Sequence, residues 1–257
     1  MKCSLTIRDR RRLDMKILPV LGRQKGVNDF WKELLSFGIK EEYNNPDMIL
    51  VFGGDGTLLG AQRDYYKMKK MFIGVGFGSV NFLLNRTIIS PAELYEKLKK
   101  DRWTTFSIRG IKADICTQDG DYKGIAFNDV YLKSTNPTGV VRLKLNTKEF
   151  PGVDVSGDGL IIATPQGSTA YSRNAGGTIL PLGSTLWCLT GICTQKKLRV
   201  TVAQQEIVIQ IVQGNAVFVT DNKEFQNVQE VRIIPSIYET VIAFDREENF
   251  EQRRYNE

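Results

Sequence analysis

The chain has 257 residues, 42% of them apolar, with 35 Lys and Arg against 29 Asp and Glu, a formal charge of +6 and no histidine. That length suits two modest domains or one large one. The missing histidine excludes a Ser-His-Asp triad, a His-Glu-x-x-His zinc site and any histidine general base, and leaves the chemistry to carboxylates, hydroxyls and backbone. The bases suit an anionic ligand but are scattered. No Lys/Arg run alternates with aromatics and no stretch approaches the ~18 apolar residues of a membrane span, so neither nucleic acid nor membrane is expected as a partner.

Residues 1–14, with the cluster Arg8, Arg10, Arg11 and Arg12, read as a disordered arm or a start-site artefact ahead of a first strand at Met15-Lys16-Ile17-Leu18. Val27, Phe30, Trp31, Leu34 and Leu35 then recur at helical spacing, and Gly38 stops that helix. Met48 to Phe52 is a second strand, a helix follows to about Lys70, and Met71 to Val75 is a third strand. Strand and helix alternating in this way predict a parallel, doubly wound sheet. Ser90-Pro91-Ala92-Glu93 is a capping box with proline at the first helical position, opening a helix over 91–100 whose lysines suit the far end of its dipole.

Beyond Asp101 the text turns to short β-rich runs at 103–108, 113–116, 125–132, 140–146, 160–163, 207–212, 216–219, 228–234 and 240–244, the pattern of an all-β layer. The expected architecture is an α/β N-terminal domain over 1–101 and an all-β domain over 102–257, with a return of the last residues to the first domain left open. Cys3, Cys116, Cys188 and Cys193 form no Cys-x-x-Cys pair, and the last three lie in apolar text where cysteine is usually a small buried hydrophobe. With no signal peptide ahead of the first strand, the expected compartment is the cytoplasm.

The chemistry concentrates at Gly53-Gly54-Asp55-Gly56-Thr57, between the second strand and the next helix. The glycines let the backbone turn and approach a ligand, and the helix N-terminus behind them favours an anion such as phosphate. The loop lacks the Gly-Lys-Ser/Thr ending of a Walker loop and the spacing of the dinucleotide fingerprint. A carboxylate in a phosphate cradle repels the ligand unless it binds a metal or takes a proton from an attacking hydroxyl, so Asp55 points to phosphoryl transfer; the alternative is that Asp55 and Thr57 only cap the helix. A second glycine cluster, Gly74, Gly76 and Gly78, again follows a buried strand and, taken alone, reads as crowding at strand ends. A third stretch, Ser156-Gly157-Asp158-Gly159 followed by Thr164-Pro165-Gln166-Gly167-Ser168-Thr169-Ala170-Tyr171-Ser172, is polar and glycine-rich. There Ser168 or Thr169 could cap a short helix and Tyr171 could offer a flat face to a base, or the stretch is a surface loop.

Taken together these stretches resemble the NAD kinases, which phosphorylate the adenosine ribose 2′-hydroxyl of NAD, closely over residues 48–180 and more loosely elsewhere. Gly-Gly-Asp-Gly-Thr alone is shared with diacylglycerol and sphingosine kinases; its pairing with Asn128-Asp129 and with the 157–177 stretch is not. The resemblance implies that Asp55 is the catalytic carboxylate and that Gly53, Gly54, Gly56 and Thr57 form the phosphate loop. It further implies that Asn128 and Asp129 hold the ribose, that Asp158, Thr169, Ala170 and Tyr171 line the dinucleotide, and that Phe77 and Phe82 lie around the nucleotide. It implies ATP or polyphosphate as donor, Mg²⁺ or another divalent cation, no dedicated metal ligands, and a homodimer or homotetramer. The departures are Ser79 and Asn81 for an arginine and a glycine, Gln166 for a Thr or Ser, Asp221-Asn222 for an Asp-Gly pair, and a missing histidine at Gly191-Ile192-Cys193-Thr194-Gln195. A dinucleotide-binding sensor without turnover is the runner-up, and a lipid kinase, lacking a basic amphipathic docking helix, comes third.

Overall fold

The computed structural model describes residues 15–100 and 103–256; the basic arm, Cys3 and Asp101 lie outside them. In chain order the elements are β1 (Lys16–Leu21), α1 (Val27–Leu35), β2 (Lys40–Glu41), β3 (Met48–Gly53), α2 (Asp55–Tyr65), β4 (Met71–Gly76), α3 (Pro91–Lys100), β5 (Trp103–Thr117), β6 (Gly120–Ala126) and β7 (Asp129–Ser134). They continue as β8 (Val141–Asn146), β9 (Val153–Gly157), β10 (Gly159–Ala163), α4 (Tyr171–Asn174), β11 (Leu186–Ile192), β12 (Arg199–Ala203), β13 (Ile207–Gln213), β14 (Ala216–Thr220), β15 (Lys223–Phe225), β16 (Val228–Asp245) and α5 (Phe250–Asn256). The residues fall into two compact units: one holds the chain up to Ala61, Met68–Thr105 and Val241–Phe250, and the other holds Gln62–Lys67, Phe106–Thr240 and the residues from Glu251.

In the first unit β2, β1, β3 and β4 lie side by side in parallel, and residues 241–243 of β16 extend the sheet in parallel beyond β4. The expected α/β layer is therefore present. β3 is buried along its whole length, as an interior parallel strand with both faces covered must be. Val27, Trp31 and Leu34 of α1 are buried and share a core with Ile17, Leu50, Phe52, Ile73, Leu94 and Leu98, each side chain of this size stabilising by about 1.5–3 kcal/mol on burial. Gly38, with φ +91, closes the turn after α1. At α3 the Ser90 hydroxyl accepts the Glu93 N–H at 3.2 Å, but the Glu93 carboxylate reaches one residue further back than a capping box requires, to the N–H of Ile89 at 3.1 Å.

Residues 241–250 are stitched into this unit by polar contacts. The buried Asn85 amide donates to the carbonyls of Gly74 (2.8 Å) and Ala243 (3.2 Å) and accepts the Asp245 N–H at 2.7 Å. Glu248 accepts the N–H groups of Arg86 and Thr87, both at 3.1 Å, and the Thr87 hydroxyl at 2.9 Å. Lys97 of α3 pairs with Asp245.

In the second unit one antiparallel sheet runs β12-β11-β10-β7-β14-β15, and in the other β16, β13, β8 and β9 are neighbours while β5 pairs with β16 and β6. Alternate residues of both sheets, among them Ile111, Leu143, Ile209 and Val231 from one and Leu132, Leu160, Trp187 and Phe218 from the other, form a common core, the inner faces of a sandwich. The opposite face of β10, with Ile161 and Ala163, is covered by Leu180 and Tyr171, so this strand too is buried throughout.

Several boundaries differ from those expected. β5 is one strand, not two, because Gly110 leaves room for the Phe127 ring, which a Cβ there would meet at 3.1 Å. β16 runs through Pro235, which falls between the stretch paired with β13, ending at Ile233, and the stretch paired with β4, starting at Val241. The helix after β3 ends at Tyr65 and gives way to a 3-10 turn at Tyr66–Met68. Ser168 and Thr169 lie within a 3-10 turn and cap no helix with their side chains; their hydroxyls donate to the carbonyls of Pro165 (2.8 Å) and Gln166 (3.4 Å). Cys193 is exposed, with φ +46, because the chain turns out of β11 there; Cys188 is buried as expected.

Candidate active site

The phosphate-loop residues follow β3, at the carboxyl end of a parallel sheet where such folds bind ligands. None of Gly53, Gly54 and Gly56 has a positive φ, so the expectation that they supply an unusual bend is corrected: what they supply is space. A Cβ on Gly53 would lie 2.4 Å from Thr57 Oγ1, whereas one on Gly56 would meet nothing within 4 Å. Thr57 Oγ1 accepts the Gly54 N–H at 3.4 Å, which closes the loop onto the first turn of α2.

Asp55 opens α2, and both its oxygens are engaged: Oδ2 accepts the N–H of Phe82 at 2.9 Å and Oδ1 that of Leu83 at 2.8 Å. These contacts, and the Phe77 N–H donated to the Gly53 carbonyl at 2.7 Å, join the loop after β3 to the loop after β4. Crowding does explain the second glycine cluster, and part of it is crowding against the first: a Cβ on Gly78 would lie 3.3 Å from the Cα of Gly54. The Phe77 ring packs edge-on to Phe30, centroids 5.5 Å apart. Asn81 sits at φ +53, a conformation for which asparagine is the usual substitute for glycine, and its side chain clamps both the N–H (3.1 Å) and the carbonyl (2.6 Å) of Gly78.

In the second unit the ladder breaks at Phe127 and Asn128, where the sequence suggests one strand, because the N–H groups there leave it. The Asp221 carboxylate accepts them from Phe127 (2.9 Å), Asn128 (3.0 Å) and Asp129 (3.3 Å). The carbonyls are held as well: that of Asn128 accepts the Thr164 N–H at 2.8 Å, and that of Asp129 accepts the Asp221 N–H at 3.0 Å. Gly167 lies so close that a Cβ would come within 2.1 Å of the Asn128 oxygen. Asp221 is the first residue of the two-residue turn between β14 and β15, with φ +50; Asn222 has no positive φ and needs no glycine, so the lost Asp-Gly pair costs the turn nothing.

Asp129 is buried, and among the described residues none donates a hydrogen bond to its carboxylate. Burial, and then the charge of Asp221, push its carboxyl up to about 7. Burial raises Asp221 as well, against the three amide donors and Arg63. Tyr131, two residues along β7 and so on the same face, has its phenol raised by burial and by the Asp129 charge. Its ring meets Tyr171 edge-on at 5.1 Å.

Asn128, Asp129, Thr169, Ala170 and Tyr171 thus surround one strand end, where Ala163 pairs with Asp129. Asp158 does not join them: it precedes β10 at the other end, roughly 16 Å away at the usual rise per strand residue. Tyr131 and Gln62 were missed by sequence reasoning, and Asp221 was noted only as half of a departed Asp-Gly pair, without its role. Tyr131 could have been found from its i+2 spacing to Asp129; Gln62 carries no local signal.

A family model described as the ATP-NAD kinase C-terminal domain matches residues 127–243. An NAD kinase of Wolinella succinogenes is 31% identical over 189 residues, which take in 72% of this chain and 65%, just under two thirds, of that one. An NAD kinase of Rickettsia bellii is 31% identical over 222 residues, 82% of this chain and 85% of that one. The chain belongs to the NAD kinase family. Membership makes it an enzyme of the class that phosphorylates NAD. The structure of an NAD kinase from Archaeoglobus fulgidus in complex with ATP shares the fold, with a TM-score of 0.72 at 23% identity, over 93% of this chain and 96% of that one. At the positions that depart from the NAD kinase pattern, Asn81 takes a positive φ that glycine adopts readily, Asn222 does not, and Gln166 donates to the Asn128 side chain.

Proposed function

We propose that the chain transfers the γ-phosphoryl group of ATP to the adenosine ribose 2′-hydroxyl of NAD, giving NADP. The observation that carries this reading is Asp55, a carboxylate fixed by two amide donors at a helix N-terminus beside a glycine loop with open space at Gly56. A carboxylate so placed is of the type that takes a hydroxyl proton in general base catalysis. Gly53, Gly54, Gly56 and Thr57 present backbone to the phosphates, Asn128 and Asp129 hold the ribose, and Tyr171 with Thr169 and Ala170 faces the base. Catalysis rests on positioning and on neutralising charge, as in other phosphoryl transfers.

Mg²⁺ fits as a companion of the nucleotide. Among the described residues no three acidic, cysteine or histidine side chains form a metal group, and this ion is typically held in large part by phosphate oxygens and water. It would screen the phosphate charge. A homodimer or homotetramer, and the cytoplasm, complete the proposal; among the described residues no helix is long and apolar enough to cross a membrane.

The test is a coupled assay for NADP from NAD, ATP and Mg²⁺, with polyphosphate as the comparison donor. NADP formed with ATP supports the proposal. NAD binding without NADP from either donor replaces it with a sensor.

A further inference from the structure

Gln62 and Gln166 are almost completely buried, 0% and 1% exposed, and pair through both ends of their amides. Gln62 Nε2 donates to Gln166 Oε1 at 3.0 Å, and Gln166 Nε2 donates to Gln62 Oε1 at 2.8 Å. The second hydrogen of Gln62 goes to Thr240 Oγ1 at 2.8 Å, and that of Gln166 to Asn128 Oδ1 at 2.8 Å. Every donor of both side chains is spent, so neither amide can turn over alone without breaking bonds in a dry environment. Asn128 itself is half-buried, with its backbone pinned by Asp221 and Thr164. Its side-chain amide is tied at one end, by Gln166.

We propose that the Gln62–Gln166 pair fixes where the Asn128 amide lies, holding one end of it inward so that the other faces the substrate, and that both glutamines are positioning residues for NAD. A Thr or Ser at position 166, common in the NAD kinases, carries a single hydroxyl and has no amide to pair with Gln62 through both ends. With Gln166 the Asn128 side chain is anchored beside Asp129, an acceptor once ionised. A ribose hydroxyl, which both donates and accepts, suits such a pair. This rests on the reading that Asn128 contacts NAD.

A double-mutant cycle tests it, with KM for NAD, kcat and melting temperature measured for Gln166→Met, Asn128→Ala and the two combined. Gln166→Met is expected to raise KM roughly tenfold, the size of one well-placed polar contact, with kcat nearly unchanged. The combined variant should be no worse than Asn128→Ala, since a residue that acts through Asn128 has nothing to act on once it is gone. If Gln166→Met fails to fold because Gln62 is orphaned, Gln62→Met with Gln166→Met removes both partners together and should show the same rise in KM. An unchanged KM in whichever of these variants folds, or effects of Gln166 and Asn128 that multiply, overturns the proposal. So does an unchanged KM in Asn128→Ala, and if that variant still makes NADP the kinase activity stands without it.

Discussion

Asp55 engages both its oxygens with amide N–H groups, so an asparagine there is not a neutral exchange: one oxygen becomes an NH₂ facing an N–H. Asp55→Asn is expected to lower kcat by roughly 10²–10⁴-fold, the usual share of a general base, and also to lower the melting temperature by loosening the 77–84 loop. Near-normal turnover in a steady-state assay would remove Asp55 from the chemistry. At Asp129 the pH dependence has a definite sign. Its folded pKa of about 7 lies above the unfolded value, so between about pH 4 and 7 the native state holds a proton that the unfolded chain has released. Stability therefore falls as pH rises through that window, by at most about 1.4 kcal/mol per unit, and is level above it. Asp129→Asn should remove this slope and be the more stable protein at pH 8, while its KM for NAD rises; urea titrations at pH 5 and 8 check the first claim, and a less stable variant at pH 8 contradicts it. In the wild type KM for NAD should fall as pH rises through about 7, as the acceptor ionises. Asp55, Asn128 and Asp129 were legible in the sequence because they sit in short motifs. Asp221 was not, since its partners lie more than ninety residues away and only the folded turn brings its carboxylate to their N–H groups.

At the scale of elements, α2 begins inside the phosphate loop, so Gly56 is both a loop glycine and the second residue of a helix. A Cβ there meets nothing, and alanine forms helix better than glycine. Gly56→Ala is therefore expected to raise stability by about 0.4–1 kcal/mol while weakening ATP binding, because the methyl group points into open space kept for phosphate. Thermal melting and ATP titration on the same preparation separate the two effects, and unimpaired ATP affinity would mean that the phosphates lie elsewhere. The helices α1 and α3 were legible from periodicity and caps, and most strands from short β-rich runs. What local text could not convey was continuity: β5 and β16 pass through a glycine and a proline that look like punctuation, the glycine lying against the Phe127 ring and the proline between the stretch paired with β13 and the stretch paired with β4.

For the molecule as a whole, the first unit is not a contiguous segment. Its sheet includes residues 241–243, paired with Met71–Ile73 of β4, and its polar ties run through Asp245 and Glu248. A fragment of residues 1–101 would expose β4 as a buried-type strand with a bare edge and is expected to aggregate; the same fragment with 241–250 supplied in trans or through a short linker should gain solubility. Equal solubility with and without that peptide, measured by sedimentation, would refute the point. The same connection bears on how the protein is made. Ribosomes add roughly 5–20 residues each second, so the chain from the end of β4 to residue 241 takes about 10–30 s to appear. Throughout that interval the first half of the nascent protein has every strand of its sheet but the last. It must wait for its own carboxyl end, and the phosphate loop, though synthesised early, is completed as a folded object only after nearly all the rest has been translated.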